Sequence, residues 1–122
     1  YNSNPLSLKS AIKNYDKINL KESNKYMLIG DMLELGSHSR RLHRSIAPII
    51  NQSKIDKVYV KGKMASIIFK DISEAKKGRI LLNKSQIIEL IRKDLNNNDY
   101  LMIKASLATG FNNIVKDLKG LS

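Results

Sequence analysis

Short apolar segments alternate with amphipathic segments along the chain, and this alternation limits the possible folds more than any other feature. Four short, mostly apolar runs, two of which end in glycine, predict buried strands. Between them, apolar residues recur at spacings of three and four, the pattern of a helix with one buried face. The strands are predicted at Lys25–Gly30, Asp56–Gly62, Gly78–Leu82 and Tyr100–Lys104.

Helices are predicted before, between and after these strands. The first covers Pro5–Ile18, with Asn4 or Ser3 as its N-cap and a proline at its first position. The chain thus begins directly at a helix start, which favours a boundary between two domains at this point. Four more helices are predicted from their apolar stripes. The second has Ser37 or Ser39 as its cap and the stripe Leu42, Ile46, Ile49 and Ile50, and the third is short, with Met64, Ile67 and Ile68. The fourth has Ser85 as its cap and the stripe Ile87, Ile88, Ile91 and Leu95, and the last has the stripe Phe111, Ile114, Val115 and Leu118.

This order of elements predicts an α/β fold. Strands joined through helices form a parallel sheet that is covered on both faces. Right-handed crossovers then give a Rossmann-like, doubly wound, mostly parallel sheet with helices on both faces. In such sheets ligands bind beyond the carboxyl ends of the strands. A functional site is therefore expected where residues 31–36, 61–63 and 104–106 leave the strands.

The chain has 122 residues and a net charge of +11, which raises the possibility of a nucleic-acid partner. Lysine supplies 17 of the 22 basic residues, however, and the lysines are spread along the whole chain. There is no Trp and there are only two Phe, so the aromatic residues of a single-strand binder are missing. We therefore expect no specific nucleic-acid partner, with a free-standing basic module that binds nucleotide or nucleic acid kept as an alternative.

Several classes of site are not expected from this sequence. The absence of cysteine excludes disulfides and thiolate metal sites. No apolar run is long enough for a membrane span. Neither a dinucleotide-binding glycine pattern nor a phosphate loop occurs, and His38 and His43 do not form a zinc-binding pair. We therefore expect no metal site and no catalytic residue within this chain.

Polar residues at two predicted strand ends are the best candidates for a site. Asp31 and Glu34 follow the first strand on a loop bounded by glycines, where a carboxylate can accept a substrate ammonium group or can simply order the turn. Lys104 ends the fourth strand, and Ser106 follows it. A lysine there can hold a carboxylate or a phosphate, and the alternative is a rim lysine with a buried stem.

Four segments resemble one family in their order and spacing. They read YNSNP at the start, LIGDMLELG, SRxLH and DxLMIKAS, and together they span essentially the whole chain. The chain resembles the C-terminal domain of the Mur ligases, in the branch that adds D-alanyl-D-alanine, whose patterns are YNANP, GDMxELG and KGS. The resemblance implies that residues 1–122 are this single domain, and that the UDP-binding and central ATP-binding domains lie outside the sequence.

The resemblance also implies an activity for the full-length protein. It would be a cytoplasmic, monomeric bacterial enzyme of peptidoglycan precursor synthesis. ATP with Mg²⁺ would activate the terminal carboxyl of UDP-N-acetylmuramoyl-tripeptide as an acyl phosphate, which the amine of D-alanyl-D-alanine attacks. This domain would close over ATP and position the dipeptide together with its own upstream domains. It would bind neither ATP nor Mg²⁺ alone, and the isolated chain is expected to be inactive.

The family motifs imply two groups of site residues. The hinge group would face ATP, and the substrate-edge group would face the incoming dipeptide. Ala105 stands where the family has glycine, and Leu107 where arginine is common, so the pose of the dipeptide stays open. Another Mur ligase or a folylpolyglutamate-type ligase remains an alternative. The hinge group is Tyr1, Asn2, Ser3 and Asn4, and the substrate-edge group is Asp31, Glu34, His43, Lys104 and Ser106.

Overall fold

The computed structural model describes residues 4–18, 23–96 and 98–104. Within them, four strands form one sheet in which every neighbouring pair is parallel. The predicted Rossmann-like α/β fold is therefore confirmed. The strands are β1 (Lys25–Gly30), β2 (Lys57–Lys61), β3 (Lys77–Ile80) and β4 (Tyr100–Lys104), and their order across the sheet is β3-β2-β1-β4.

The first helix, α1 (Pro5–Asp16), begins as the sequence predicts. Asn4 is its N-cap, and the Asn4 side-chain oxygen accepts a hydrogen bond from the backbone N–H of Ser7 at 2.9 Å. Ser7 reciprocates, since its hydroxyl lies 3.2 Å from the backbone nitrogen of Asn4. This capping box satisfies two N–H groups that have no partner inside the helix.

The second predicted helix is interrupted. The chain forms a 3₁₀ turn at Gly36–His38, then α2 (Ser39–Arg44) and α3 (Ala47–Gln52). Pro48 explains the break, because it has no N–H to bond the carbonyl of Arg44 and its ring would crowd that carbonyl. The prediction of a serine cap here was wrong, because α2 has no side-chain cap bond and begins from the preceding turn.

The remaining helices are α4 (Ala65–Lys70) and α5 (Lys84–Glu89), with a short 3₁₀ turn at Glu74–Lys76 after α4. Ser85 was predicted to cap α5, but Asn83 does so, because its extended backbone lets its side-chain oxygen accept from the N–H of Gln86 at 2.9 Å. A π-helical turn at Leu90–Asp94 continues α5. The last predicted helix, with Phe111, Ile114, Val115 and Leu118, lies outside the described residues. No helix in the described part of the chain is long and apolar enough to cross a membrane.

The sheet separates two apolar cores. On one face, Met27 and Ile29 of β1 and Val58 and Val60 of β2 pack with residues of α1, α3 and α4. On the other face, the alternate residues Tyr26, Leu28 and Tyr59 pack with Ile87 and Leu90 of α5 and its π-helical turn. All six residues of β1 are buried, as expected for a central parallel strand.

The direction of α1 relative to the strands follows from contacts at its end. The hydroxyl of Tyr15 lies 3.1 Å from the carbonyl oxygen of Tyr26 and 3.0 Å from that of Tyr100. The ammonium group of Lys25 donates to the carbonyl of Tyr15 at 2.8 Å. Because Lys25, Tyr26 and Tyr100 lie where β1 and β4 start, the helix must run antiparallel to the strands. Pro5 is ten residues before Tyr15 and therefore lies about 15 Å from it, toward the carboxyl ends of the strands.

Candidate functional site at the carboxyl ends of the strands

The strand order creates a switch point between β1 and β4. From β1 the chain moves outward through β2 to β3, and then returns to place β4 on the other side of β1. The carboxyl ends of β1 and β4 therefore lie side by side at this point. In open parallel sheets such a point forms the crevice in which ligands bind.

The register brings the first residues of two predicted segments and Lys104, the described residue of the third, to one level. Lys104 pairs with Ile29, and Lys61 pairs with Gly30, so Asp31 leaves β1 between these two lysines. We call this region the strand-end edge and define it as residues 31–36, residues 61–63 and Lys104. It contains three of the residues predicted at the substrate edge, namely Asp31, Glu34 and Lys104.

Asp31 and Lys104 lie on the same face of the sheet. Met102 packs against the core that α1, α3 and α4 cover, and side chains alternate along a strand, so Lys104 lies on that face too. Asp31 reaches the same face, because it contacts Ala65 at the start of α4, and Ala65 belongs to that core. A basic and an acidic side chain therefore flank the switch point on one side of the sheet.

Asp31 joins two loops of the strand-end edge. Its carboxylate oxygen Oδ1 accepts a hydrogen bond from the backbone N–H of Ala65 at 2.6 Å. Gly62 lies directly beside the carboxylate and has a backbone φ of +118°. A Cβ added at Gly62 would lie 2.7 Å from the Asp31 carboxyl carbon. The carboxylate therefore fits only because residue 62 has no side chain.

The side chain of His43 forms hydrogen bonds with the backbone behind the same loop. Its ring is fully buried, and Nε2 lies 3.0 Å from the backbone nitrogen of Met32 while Nδ1 lies 2.8 Å from the carbonyl oxygen of Ser39. A backbone N–H only donates and a carbonyl only accepts, so the ring carries its proton on Nδ1. The ring is thus buried behind the strand-end edge and joins the backbone of Met32 in the loop to that of Ser39 at the start of α2.

Glu34 occupies the exposed tip of this loop. Its φ is +62°, and Gly36 two residues later has a φ of +60°. A left-handed backbone is uncommon for a glutamate and costs about 1 kcal/mol. Leu35 packs against the core, whereas Glu34 is exposed, so the loop is anchored on both sides of a tip that presents a carboxylate to solvent.

The structure describes only one residue of the predicted hinge group. Asn4 lies at the start of α1, toward the carboxyl ends of the strands and so at the same end of the sheet as the strand-end edge. Its side-chain oxygen accepts the capping hydrogen bond from the N–H of Ser7. Tyr1, Asn2 and Ser3 lie outside the described residues. Ser106 lies outside them as well, as do the two departures from the family pattern at Ala105 and Leu107.

Two supporting contacts were not predicted. The pairing of Asp31 with the N–H of Ala65 was missed, although the glycine that ends the run DKVYVKG was a signal of a close backbone approach. The contact of His43 with Met32 was missed as well, although His43 lies on a helix directly after the loop. Within the described ranges, no three His, Cys, Asp or Glu side chains lie together in a way that could hold a metal ion.

Comparison with known proteins gives a consistent result. The family model described as "Mur ligase, glutamate ligase domain" matches residues 1–107. The chain is 30% identical over 121 residues to the UDP-N-acetylmuramoyl-tripeptide–D-alanyl-D-alanine ligase of Bacillus subtilis (strain 168), covering 97% of this chain and 26% of that protein. It is 32% identical over 120 residues to the enzyme of the same name from Buchnera aphidicola subsp. Acyrthosiphon pisum (strain APS), covering 97% of this chain and 25% of the relative.

Solved structures match the fold. The crystal structure of the MurF ligase from Thermotoga maritima in complex with ADP has a TM-score of 0.77 and 22% identity, covering 95% of this chain and 26% of that chain. A crystal structure of MurF from Acinetobacter baumannii has a TM-score of 0.77 and 23% identity, covering 97% of this chain and 26% of its own. The chain thus spans about a quarter of the length of the relatives that it matches.

Proposed function

The chain belongs to the Mur ligase family, and from this membership we propose that it is the terminal domain of an ATP-dependent ligase that joins D-alanyl-D-alanine to UDP-N-acetylmuramoyl-tripeptide. The names of the two relatives above and the GDMLELG loop support this branch of the family. Domains that bind the uridine nucleotide and ATP would precede this chain in the parent protein. The same relationship supports a monomeric enzyme of the bacterial cytoplasm.

The proposed reaction forms an amide bond. ATP with Mg²⁺ supplies the phosphoryl group that converts the tripeptide carboxylate into an acyl phosphate. The residues of this chain would bind the dipeptide, hold its amine within attack distance and exclude water that would hydrolyse the acyl phosphate. Holding two reactants in such a geometry can lower a barrier by about 7–11 kcal/mol. Closure of this domain over the ATP-binding domain would supply both the position and the water exclusion.

We also propose a role for each described residue of the site. We assign the dipeptide carboxylate to Lys104 and its amino end to Glu34, because these two groups of opposite charge lie at the strand-end edge and Glu34 is exposed. Asp31 and His43 are positioning residues, because both hold the loop that carries Glu34. The single observation that carries the proposal is the switch point, which places the carboxyl ends of β1 and β4 side by side.

The nucleotide would lie next to the start of the chain. Asn4 lies on the same side of the sheet as the strand-end edge, so a hinge at residues 1–4 would face a nucleotide held by the preceding domain. The described part of this chain offers no cluster of metal-binding side chains, and we assign Mg²⁺ to that domain as well. On this assignment the 122-residue chain alone hydrolyses no ATP.

A substitution of Lys104 in the full-length ligase tests the proposal. Loss of one charge-assisted hydrogen bond of about 1.5–3 kcal/mol predicts that Lys104→Ala lowers kcat/KM for D-alanyl-D-alanine by about 10- to 100-fold. The KM for ATP and the thermal midpoint should change little. Lys13→Ala, at an exposed position of α1, is the matched control and should leave kcat/KM unchanged. A Lys104→Ala enzyme with the dipeptide kinetics of the control would remove Lys104 from the site.

A further inference from the structure

A group of arginines follows the loop of the strand-end edge. The chain contains five arginines and 17 lysines, and three of the arginines, Arg40, Arg41 and Arg44, lie within α2. Outside α2 the chain has only two arginines beside its 17 lysines, so the three neighbouring guanidinium groups are a local feature of this helix. Guanidinium differs from ammonium in that it binds phosphate or carboxylate through two parallel hydrogen bonds.

Two surface clefts meet at Arg40. The larger has a volume of about 770 Å³ and is lined by all three arginines together with Pro48 and Asp71, among others. The smaller has a volume of about 380 Å³, which lies in the usual range for small-molecule sites. The smaller cleft is lined by the cations Arg40, Lys63, Lys70 and Lys77, by the apolar residues Ile67, Phe69 and Ile80, and by Ser66.

The smaller cleft has a strong excess of positive charge. No carboxylate is among its lining residues. Lys77 is paired with Glu74 at 2.8 Å, but Arg40, Lys63 and Lys70 have no ion-pair partner among the residues that the structure describes. Cations that share one cleft repel each other, and an anion bound between them would offset that repulsion. The apolar side of the cleft would at the same time accept an apolar part of the ligand.

We propose that the cleft between α4 and β3 binds a small molecule that combines a phosphate or diphosphate group with an apolar or aromatic body. The phosphate group binds Arg40, Lys63 and Lys70, and the body packs against Phe69 and Ile80. A dissolved ligand is favoured over a membrane surface, because a concave cleft with an apolar wall fits a molecule that enters it better than a flat layer of headgroups. This site is separate from the roles assigned to Lys104 and Glu34.

Binding of inorganic pyrophosphate to the 122-residue chain tests the proposal. Amide chemical shifts would be followed by NMR at constant ionic strength, and we expect saturable shifts at Ser66, Phe69 and Lys70. The double substitution Arg40→Gln with Lys70→Gln should weaken binding about tenfold or more. The pair Lys13→Gln with Lys54→Gln removes the same charge from exposed positions elsewhere and should change the affinity less than about twofold.

Two further measurements complete the test. Phenyl phosphate should bind more tightly than inorganic phosphate, because its ring contacts the apolar wall. Arg40→Lys keeps the charge and the fold but loses bidentate binding, so it should weaken pyrophosphate binding even if the double variant does not fold. Equal weakening by both double variants, or no saturable shifts, would overturn the proposal. Binding to phosphatidylglycerol vesicles without binding to pyrophosphate would also overturn it, in favour of a membrane-facing surface.

Discussion

Substitution of Gly62 by alanine should destabilise this domain more than a glycine-to-alanine change ordinarily does. The residue has a φ of +118°, which L-amino acids rarely adopt, and this strain costs about 1–2 kcal/mol. The new Cβ would also overlap the Asp31 carboxylate and force it away from the N–H of Ala65. Loss of that charge-assisted bond adds about 1.5–3 kcal/mol. The expected total is about 2.5–5 kcal/mol of unfolding free energy.

Urea unfolding followed by circular dichroism measures this cost, and Gly36→Ala is the matched control. Gly36 also has a positive φ, of +60°, but a Cβ there would meet nothing within 4 Å. It should therefore cost only about 1 kcal/mol from backbone strain. The two variants share their chemistry and differ in the contact with Asp31.

A double-mutant cycle separates strain from overlap. In an Asp31→Ala background the overlap is absent, so Gly62→Ala should cost only its backbone strain. The double variant should therefore lose at least about 1 kcal/mol less unfolding free energy than the sum of the losses in the two single variants. Additive costs would show that the carboxylate does not depend on Gly62. A Gly62→Ala cost equal to that of Gly36→Ala would refute the reasoning in the same way.

Three further expectations concern side chains described above. Burial raises the pKa of Tyr15 to about 12. The protonated hydroxyl therefore contributes fully to stability below pH 10, and this contribution is lost between about pH 10 and pH 12. Tyr15→Phe should reduce the slope of unfolding free energy against pH in that window. His43→Ala leaves the buried N–H of Met32 without its partner, so it should lower the unfolding free energy by about 1–3 kcal/mol and speed hydrogen exchange at that amide. Glu34→Gly relieves the strain of the left-handed backbone, so it should raise the unfolding free energy by about 1 kcal/mol. The same substitution in the full-length ligase should weaken binding of the dipeptide. A stabilised variant with an unchanged KM for the dipeptide would contradict the role of Glu34.

The sequence predicts elements well where local chemistry decides them. The bounds of β1 and β4 agree with the prediction, because each is a short apolar run with clear ends. Leu82 shows the opposite case, since it was predicted in the third strand but lies beyond β3 and is 74% exposed. Its apolar character is the same in both settings, so composition alone cannot locate the end of that strand.

The interruption of the second predicted helix and the geometry of the site depend on different information. Pro48 was visible in the sequence, but the apolar stripe around it was given more weight than its missing N–H. The contact between Asp31 and Ala65 joins residues that belong to different crossovers, so it depends on the order of the strands. Helix and strand periodicity predict that the carboxyl ends share one side of a parallel sheet, but they do not specify which strands are neighbours.

The central position of β1 has a consequence for folding during synthesis. One neighbour of β1 is β4, and the paired residues Lys25 and Tyr100 lie 75 positions apart in the chain. At a translation rate of about 5–20 residues per second, β4 leaves the ribosome roughly 4–15 s after β1. Until then, one edge of this mostly apolar central strand has no pairing partner, and such an edge is a template for aggregation. A nascent chain of this domain should therefore need chaperone protection until Tyr100 and the residues after it have emerged.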